Sequence, residues 1–304
     1  MKRRYELEML QVDAFTDVPY GGNPAVVFLD ADRVSDDTMI KVAREVGTKE
    51  SVFVSRSKKA AFTFRYMTPS GEIDFSGHPT IAALHALVEK GAIEVVSDIT
   101  MLNLETKSGI LAIEIVKNET SQMHEIQITH KQPQFLTTYD PIDIAEALGL
   151  TLADIMSPNP IQTVSTGIPT LVVPIVTMRS MDRMKPDMDR LEQMCREGDY
   201  DSILVFTKET KDVTSDAHAR HFAPRLGVPE DPVSGAGAAV MASYMVKYGI
   251  MDSTNPVTSI IIEQGHFVNR PGKVIVEVRA AEDTIEQVKV SGTAVTVLRG
   301  LLLI

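Results

Sequence analysis

Apolar positions along this chain fall into short runs punctuated by Gly, Pro, Asn and Asp, a spacing that predicts many strands and few long helices. The runs ILAIEIV after Gly109 and KVIVEV after Gly272 alternate apolar with polar residues, with Glu114 and Glu277 on the outward side. A period of two of this kind predicts half-buried strands. GNPAVVF from Gly22 and GIPTLVV from Gly167 are each a Gly-X-Pro turn opening into an apolar strand. Two segments break this rhythm. TIAALHALVEKG after Pro79 sets Ile81, Leu84 and Val88 on one helical face, fills most of the rest with Ala82, Ala83 and Ala86, and stops at Gly91. GAGAAVMASYMVKYG from Gly235 has the same character, and helices so poor in charge are buried on most sides. The charged amphipathic patterns IAEALGL and MDRLEQMCREG predict outer helices, and the acidic stretch AEDTIEQ an exposed loop or short helix.

The two Ala-rich segments belong to an internal repeat. Arg65 and Pro69 are four apart, as are Arg220 and Pro224; Gly91 lies fourteen beyond Gly77, as Gly249 lies beyond Gly235. ESVFV at Glu50 is echoed by DSILVF at Asp201. From Pro224 to Ser234 the second copy carries three more residues than the first does from Pro69 to Ser76, an insertion expected to include Glu230 and Asp231. Short strands with one apolar helix per copy predict an α+β fold of two pseudo-symmetric domains, each a rolled, mostly antiparallel sheet around its own central helix. The expected division is 1–130 plus 291–304 and 131–290.

With 304 residues, 44% of them hydrophobic, the chain can bury a sizeable core in two domains. A net charge of −11 argues against nucleic acid, which is bound through clustered Lys and Arg. The absence of a long apolar run argues against a signal peptide or a membrane span, so a cytoplasmic protein is expected. The single cysteine, Cys195, cannot form an internal disulfide.

Each Ala-rich helix is entered through Ser-Gly: Ser76-Gly77 and Ser234-Gly235. The first turn of a helix exposes unpaired N–H groups and a partial positive charge, and glycine lets a ligand approach that backbone, so a small carboxylate is the natural guest. Routine N-capping by Ser76 and Ser234 is the plainer reading of the same residues. His78, followed by Pro79 in the first turn, and Asp231, before Pro232, add an imidazole and a carboxyl at these entrances.

The ordered set VDAFTDVPYGGNPAVVF, KESVFV, FSGHPTIAA and EDPVSGAGAA, with TAVTVLRG near the end, resembles the phenazine-biosynthesis isomerase (PhzF-like) family, which shares its fold with diaminopimelate epimerase and proline racemase. The resemblance spans nearly the whole chain. It implies two similar domains with the active site between them, and a homodimer. It also implies a general acid/base glutamate at Glu50, with His78 and Asp231 as its catalytic companions. Ser76, Gly77, Ser234, Gly235 and Ala236 are then the expected substrate-binding positions. The chain departs from the family pattern at Lys49 and at Ala236-Gly237, where the family carries Ser-Ala.

The epimerase relatives use two facing cysteines, but Ser76 and Ser234 stand at those positions and a hydroxyl is too weak an acid to replace a thiol. The expected chemistry is therefore proton-transfer isomerisation of a small carboxylated, unsaturated or cyclic amino or hydroxy acid, with Glu50 as the proton shuttle and with no metal or organic cofactor. The alternative is a non-catalytic metabolite-binding or interaction protein that keeps the same fold. GAGAAV from Gly235 follows a turn and not a buried strand, which argues against dinucleotide binding. In HARH, His218 and His221 are three apart on an expected strand and so face opposite ways, which argues against a shared metal.

Overall fold

A computed structural model describes residues 6–118, 123–252, 256–281 and 284–304. The chain forms two compact units, Met1–Thr129 with Ser291–Ile304, and His130–Val290. The first holds strands β1 (Glu6–Ala14), β2 (Asn23–Phe28), β3 (Ser51–Arg56), β4 (Phe62–Thr68), β5 (Gly71–Ile73), β6 (Ile99–Thr106), β7 (Gly109–Lys117) and β8 (His124–His130). Its helices are α1 (Asp36–Val46) and α2 (Gly77–Glu89). The second unit holds β9 (Gln134–Tyr139), β10 (Ile161–Ser165), β11 (Pro169–Pro174), β12 (Ser202–Thr207), β13 (Ala217–Ala223), β14 (Val228–Asp231), β15 (Val257–Gln264), β16 (Gly272–Ala281) and β17 (Thr284–Gly292). Its helices are α3 (Pro141–Ala147), α4 (Met178–Arg183), α5 (Met188–Glu197) and α6 (Gly235–Lys247). The final strand, β18 (Ala294–Leu303), returns to pair antiparallel with β1.

The pairing scheme is the same in both units. β1–β2 is antiparallel, β2–β3 parallel, β3–β4 and β4–β5 antiparallel, β4–β6 parallel and β6–β7 antiparallel. In the second unit β10–β11 is antiparallel, β11–β12 parallel, β12–β13 and β13–β14 antiparallel, β13–β15 parallel and β15–β16 antiparallel. β9 flanks β10 as β18 flanks β1. The fold is thus α+β and mostly antiparallel, and duplicated strand for strand.

In each unit the Ala-rich helix is the central one. α2 packs on β1, β2, β3 and β18, and Ile81, Ala82, Ala83, Leu84 and Ala86 are wholly buried. α6 packs on β10, β11, β12, β15 and β16 with Ala239, Val240, Met241 and Ala242 wholly buried. Small side chains let such a helix approach a sheet closely, while each fully buried Leu or Ile contributes roughly 1.5–3 kcal/mol. The amphipathic helices cover the other face: Met39, Val42 and Ala43 of α1 join Val26, Phe28 and Phe53, the two rings stacked at 4.6 Å. Leu191 and Cys195 of α5 join Leu171, Val173, Ile203 and Val205.

Two expectations need correction. In AEDTIEQ, residues 282 and 283 lie outside the described residues, but the remainder is strand: β16 runs to Ala281 and β17 begins at Thr284. The three extra residues of the second copy do not include Glu230 and Asp231. Glu72 precedes Ser76 by the same four positions as Glu230 precedes Ser234, and both bind the repeat arginine. The insertion falls instead in the 3₁₀ turn Pro224–Leu226 and the left-handed Gly227 ahead of β14.

Candidate functional site

Strand alternation determines which repeat residues meet the central helix. In the first unit Arg65 points to the outer face and binds both carboxylate oxygens of Glu72 at 2.8 and 2.9 Å. Its neighbour Tyr66 points inward, where its hydroxyl meets Thr80 Oγ1 at 2.7 Å. Thr80 in turn donates to the Ser76 carbonyl at 2.6 Å. This chain fixes the start of α2, so Ser76 serves through its backbone and its side chain makes no cap hydrogen bond. Burial, aided by the Glu50 charge and opposed by the Thr80 hydrogen bond, raises the Tyr66 phenol far above neutral pH, so it acts as a neutral hydroxyl.

His78, in the first turn of α2, lies with Nδ1 3.8 Å from Oε2 of Glu50, and the two side chains are 7% and 12% exposed. Glu50 immediately precedes β3; its carbonyl accepts from Val26 N at 3.4 Å and from the Thr48 hydroxyl at 3.3 Å. The main chain is thus held while the carboxyl projects toward α2. Glu50 Oε2 is buried with no hydrogen-bond partner among the described residues. Because a buried, uncommitted carboxylate oxygen is costly, this one is suited to a substrate. A Cβ built on Gly77 would meet nothing within 4 Å, so open space lies before this helix entrance.

The second unit carries an acid–imidazole pair at other repeat positions. Arg220 again points outward and binds Glu230 at 2.9 and 2.8 Å. Its inward neighbour is His221, at the position Tyr66 holds in the first unit. The cross-strand partner of His221 is Asp231, where Tyr66 faces Ile73. His221 Nδ1 and Asp231 Oδ2 are 4.0 Å apart, with side chains 8% and 11% exposed. Gln264 ties this pair to α6 by donating to the Asp231 carbonyl at 2.6 Å and accepting from Ser234 N at 3.3 Å. Ser234, unlike Ser76, caps its helix through its side chain, accepting from Gly237 N at 3.1 Å. Gly235 is buried and Ala236 half-buried in that first turn. The counterparts of Glu50 and His78 are Asp201, paired with Arg225 at 2.9 Å, and Ala236.

A family model described as phenazine biosynthesis-like protein (PhzC-PhzF) matches residues 12–300. This chain belongs to the phenazine biosynthesis-like, or PhzF, family. It is 38% identical over 292 residues to an uncharacterized isomerase of Bacillus subtilis, YfhB, covering 95% of this chain and 96% of that one. The crystal structure of a PhzF-family phenazine biosynthesis protein from Bacillus anthracis superposes with a TM-score of 0.90 at 34% identity, covering 99% and 100% of the two chains. A hydroxyproline epimerase from Agrobacterium vitis, solved with trans-4-hydroxy-L-proline bound, shares the fold at a TM-score of 0.65 and 14% identity, over 100% and 93% of the chains. The PhzF-family chain is an enzyme, an isomerase on an epimerase-like fold.

His221 is the member of these pairs that sequence reasoning missed. Its signal was indirect: a Cβ at Gly237 would sit 3.2 Å from His221 Nδ1 and 2.9 Å from Leu204 Cδ1, so glycine at 237 leaves space for an imidazole. Cys195 is wholly buried and its thiol is pushed up to about 11 by burial, which leaves no reactive thiolate at neutral pH. Among the described residues, His218, Glu263 and His266 bring three ligand-type atoms within 4.8 Å of one another. No helix among the described residues is long and apolar enough to cross a membrane.

Proposed function

We propose that this PhzF-family isomerase moves a proton within a small carboxylated, unsaturated or cyclic amino or hydroxy acid, using Glu50 as a single acid/base and no cofactor. The observation that carries this reading is the Glu50–His78 pair, a buried carboxyl with one uncommitted oxygen beside an imidazole in the first turn of α2. Glu50 takes a proton from a carbon conjugated to the substrate carboxylate. The electron pair left behind spreads into that carboxylate, whose growing negative charge is met by the N–H groups and partial positive end of the helix at Ser76 and Gly77. Glu50 then returns the proton to a second carbon, shifting the double bond with no net change in composition. His78 holds the carboxyl in position and answers its charge. Asp231, Ser234, Gly235 and Ala236 enter this reading on the likeness to the PhzF family, as the positions that orient the substrate amine or hydroxyl.

Glu50→Gln keeps the shape of the side chain and removes the base. Wild type, incubated in deuterium oxide with a panel of small unsaturated and cyclic amino and hydroxy acids, incorporates solvent deuterium into the substrate it turns over. Glu50→Gln loses on the order of 10²–10⁴-fold in kcat/KM, the usual worth of a positioned acid/base, and loses the exchange. Undiminished exchange by a folded Glu50→Gln protein would remove Glu50 from the mechanism.

A further inference from the structure

The outer face of the second unit's sheet holds a polar group that the proton-transfer chemistry does not use. His218 on β13 and Glu263 on β15 are cross-strand neighbours, both wholly buried, on the face opposite to the one His221 presents to α6. His218 Nδ1 and Glu263 Oε1 are 2.6 Å apart. Glu263 is held besides by backbone N–H groups of Lys211 and Asp212, at 2.6 and 3.0 Å, one to each carboxylate oxygen. An ionised carboxylate in that setting accepts the His218 Nδ1 proton and leaves Nε2 with its lone pair exposed. This Nε2 is buried with no hydrogen-bond partner among the described residues, and so is Nδ1 of His266. The two rings have centroids 5.0 Å apart, with His266 in the 3₁₀ turn His266–Val268 that follows β15.

Two buried ring nitrogens without a hydrogen-bond partner among the described residues, close to one another, are a costly arrangement unless something is bound there. A carboxylate behind an imidazole is also the arrangement that fixes the tautomer of metal-binding histidines and strengthens them as donors. We propose that His218 Nε2 and His266 Nδ1 bind a borderline divalent cation of the zinc class, with Glu263, hydrogen-bonded to the opposite ring nitrogen, orienting His218. Imidazole nitrogen selects zinc, cobalt or nickel over magnesium or calcium. Ligands about 2.1 Å from a tetrahedral ion lie roughly 3.4 Å apart, and a ligand-type atom of His218 already lies within 4.8 Å of one of His266, so a small shift of the His266 turn brings the two rings onto one ion. Lys211 is the cation that opposes the ion; it lies over Phe267 at 4.6 Å and pairs with Asp182 at 3.9 Å. The bound ion would staple the turn after β15 to β13, on the face of β13 opposite to His221.

The test is calorimetric titration of the metal-free full chain with zinc at neutral pH, paralleled by cobalt as a spectroscopic stand-in. Wild type takes up one equivalent with micromolar affinity, its melting temperature rises with zinc, and cobalt gives the visible bands of a tetrahedral nitrogen-ligated ion. His266→Gln, in the half-buried turn, weakens binding at least tenfold while folding normally by circular dichroism. His218→Gln does the same where it folds. Absence of saturable zinc uptake by wild type, or equal uptake by a folded His266→Gln protein, overturns the proposal.

Discussion

Glu263 offers the sharpest quantitative test of how the second unit is held together. Its side chain is fully buried, and burial alone would raise its pKa. Hydrogen bonds from His218 and from the Lys211 and Asp212 amides overcome that and hold it down at about 2, against an ordinary 4.5. Because the folded value is the depressed one, its stabilisation is fully present above the unfolded value and is lost as pH falls toward the folded one. At about 1.4 kcal/mol per pH unit the whole gap is worth roughly 3 kcal/mol, of which about 2 kcal/mol has gone by about pH 3. Glu263→Gln sets an amide donor against backbone donors, which breaks a buried charged network and costs about 3–5 kcal/mol near pH 7. Urea denaturation of both proteins near pH 7 and pH 3 measures the difference directly, and other acids that titrate in this window cancel between them. The expected result is a penalty that shrinks by about 2 kcal/mol at the lower pH. A penalty independent of pH, or one under about 1 kcal/mol near neutrality, would refute the account of Glu263 as a buried charge held by these three donors.

The two helix entrances respond differently to the same substitution: Ser234→Ala removes a side-chain cap and costs about 1 kcal/mol, while Ser76→Ala changes stability by a few tenths at most, as read from urea midpoints. Gly237→Ala gains up to about 1 kcal/mol of helix propensity but drives a methyl against His221 and buried Leu204, at about 1–3 kcal/mol, so the net effect is destabilising. Repeating Gly237→Ala in a His221→Ala background relieves part of that contact, and a thermodynamic cycle reports coupling; additive effects would mean that His221 does not occupy the space beside the first turn of α6.

Most of the fold was legible because duplication supplies its own check. ILAIEIV and KVIVEV occupy equivalent strands, and the two Ala-rich runs, poor in charge, could only be helices buried on nearly every side. The opposed directions of His218 and His221 also followed from strand period alone: one meets Glu263, the other Asp231. Other features depended on information that spacing does not carry. Glu50 and His78 are separated by three strands, β3, β4 and β5, and only the likeness to the PhzF family linked them in advance. His221 hid because its counterpart is a tyrosine, so comparing the copies gave no reason to look for an imidazole there. Glu263 and His266 are brought to His218 by the parallel pairing of β13 with β15, a long-range contact. The position of the insertion is not legible from Pro69 and Pro224, because the arginine–glutamate clamps, visible only in the structure, carry the register beyond them.

The return of β18 to β1 inverts the order in which the chain can finish folding. Every residue of the second unit is synthesised before Ala294–Leu303, so that unit has all its strands while β1 still lacks a partner along one edge. On a ribosome the half begun first is the half completed last, and the open side of β1 is the place where a chaperone or a stray strand would find an unfinished sheet.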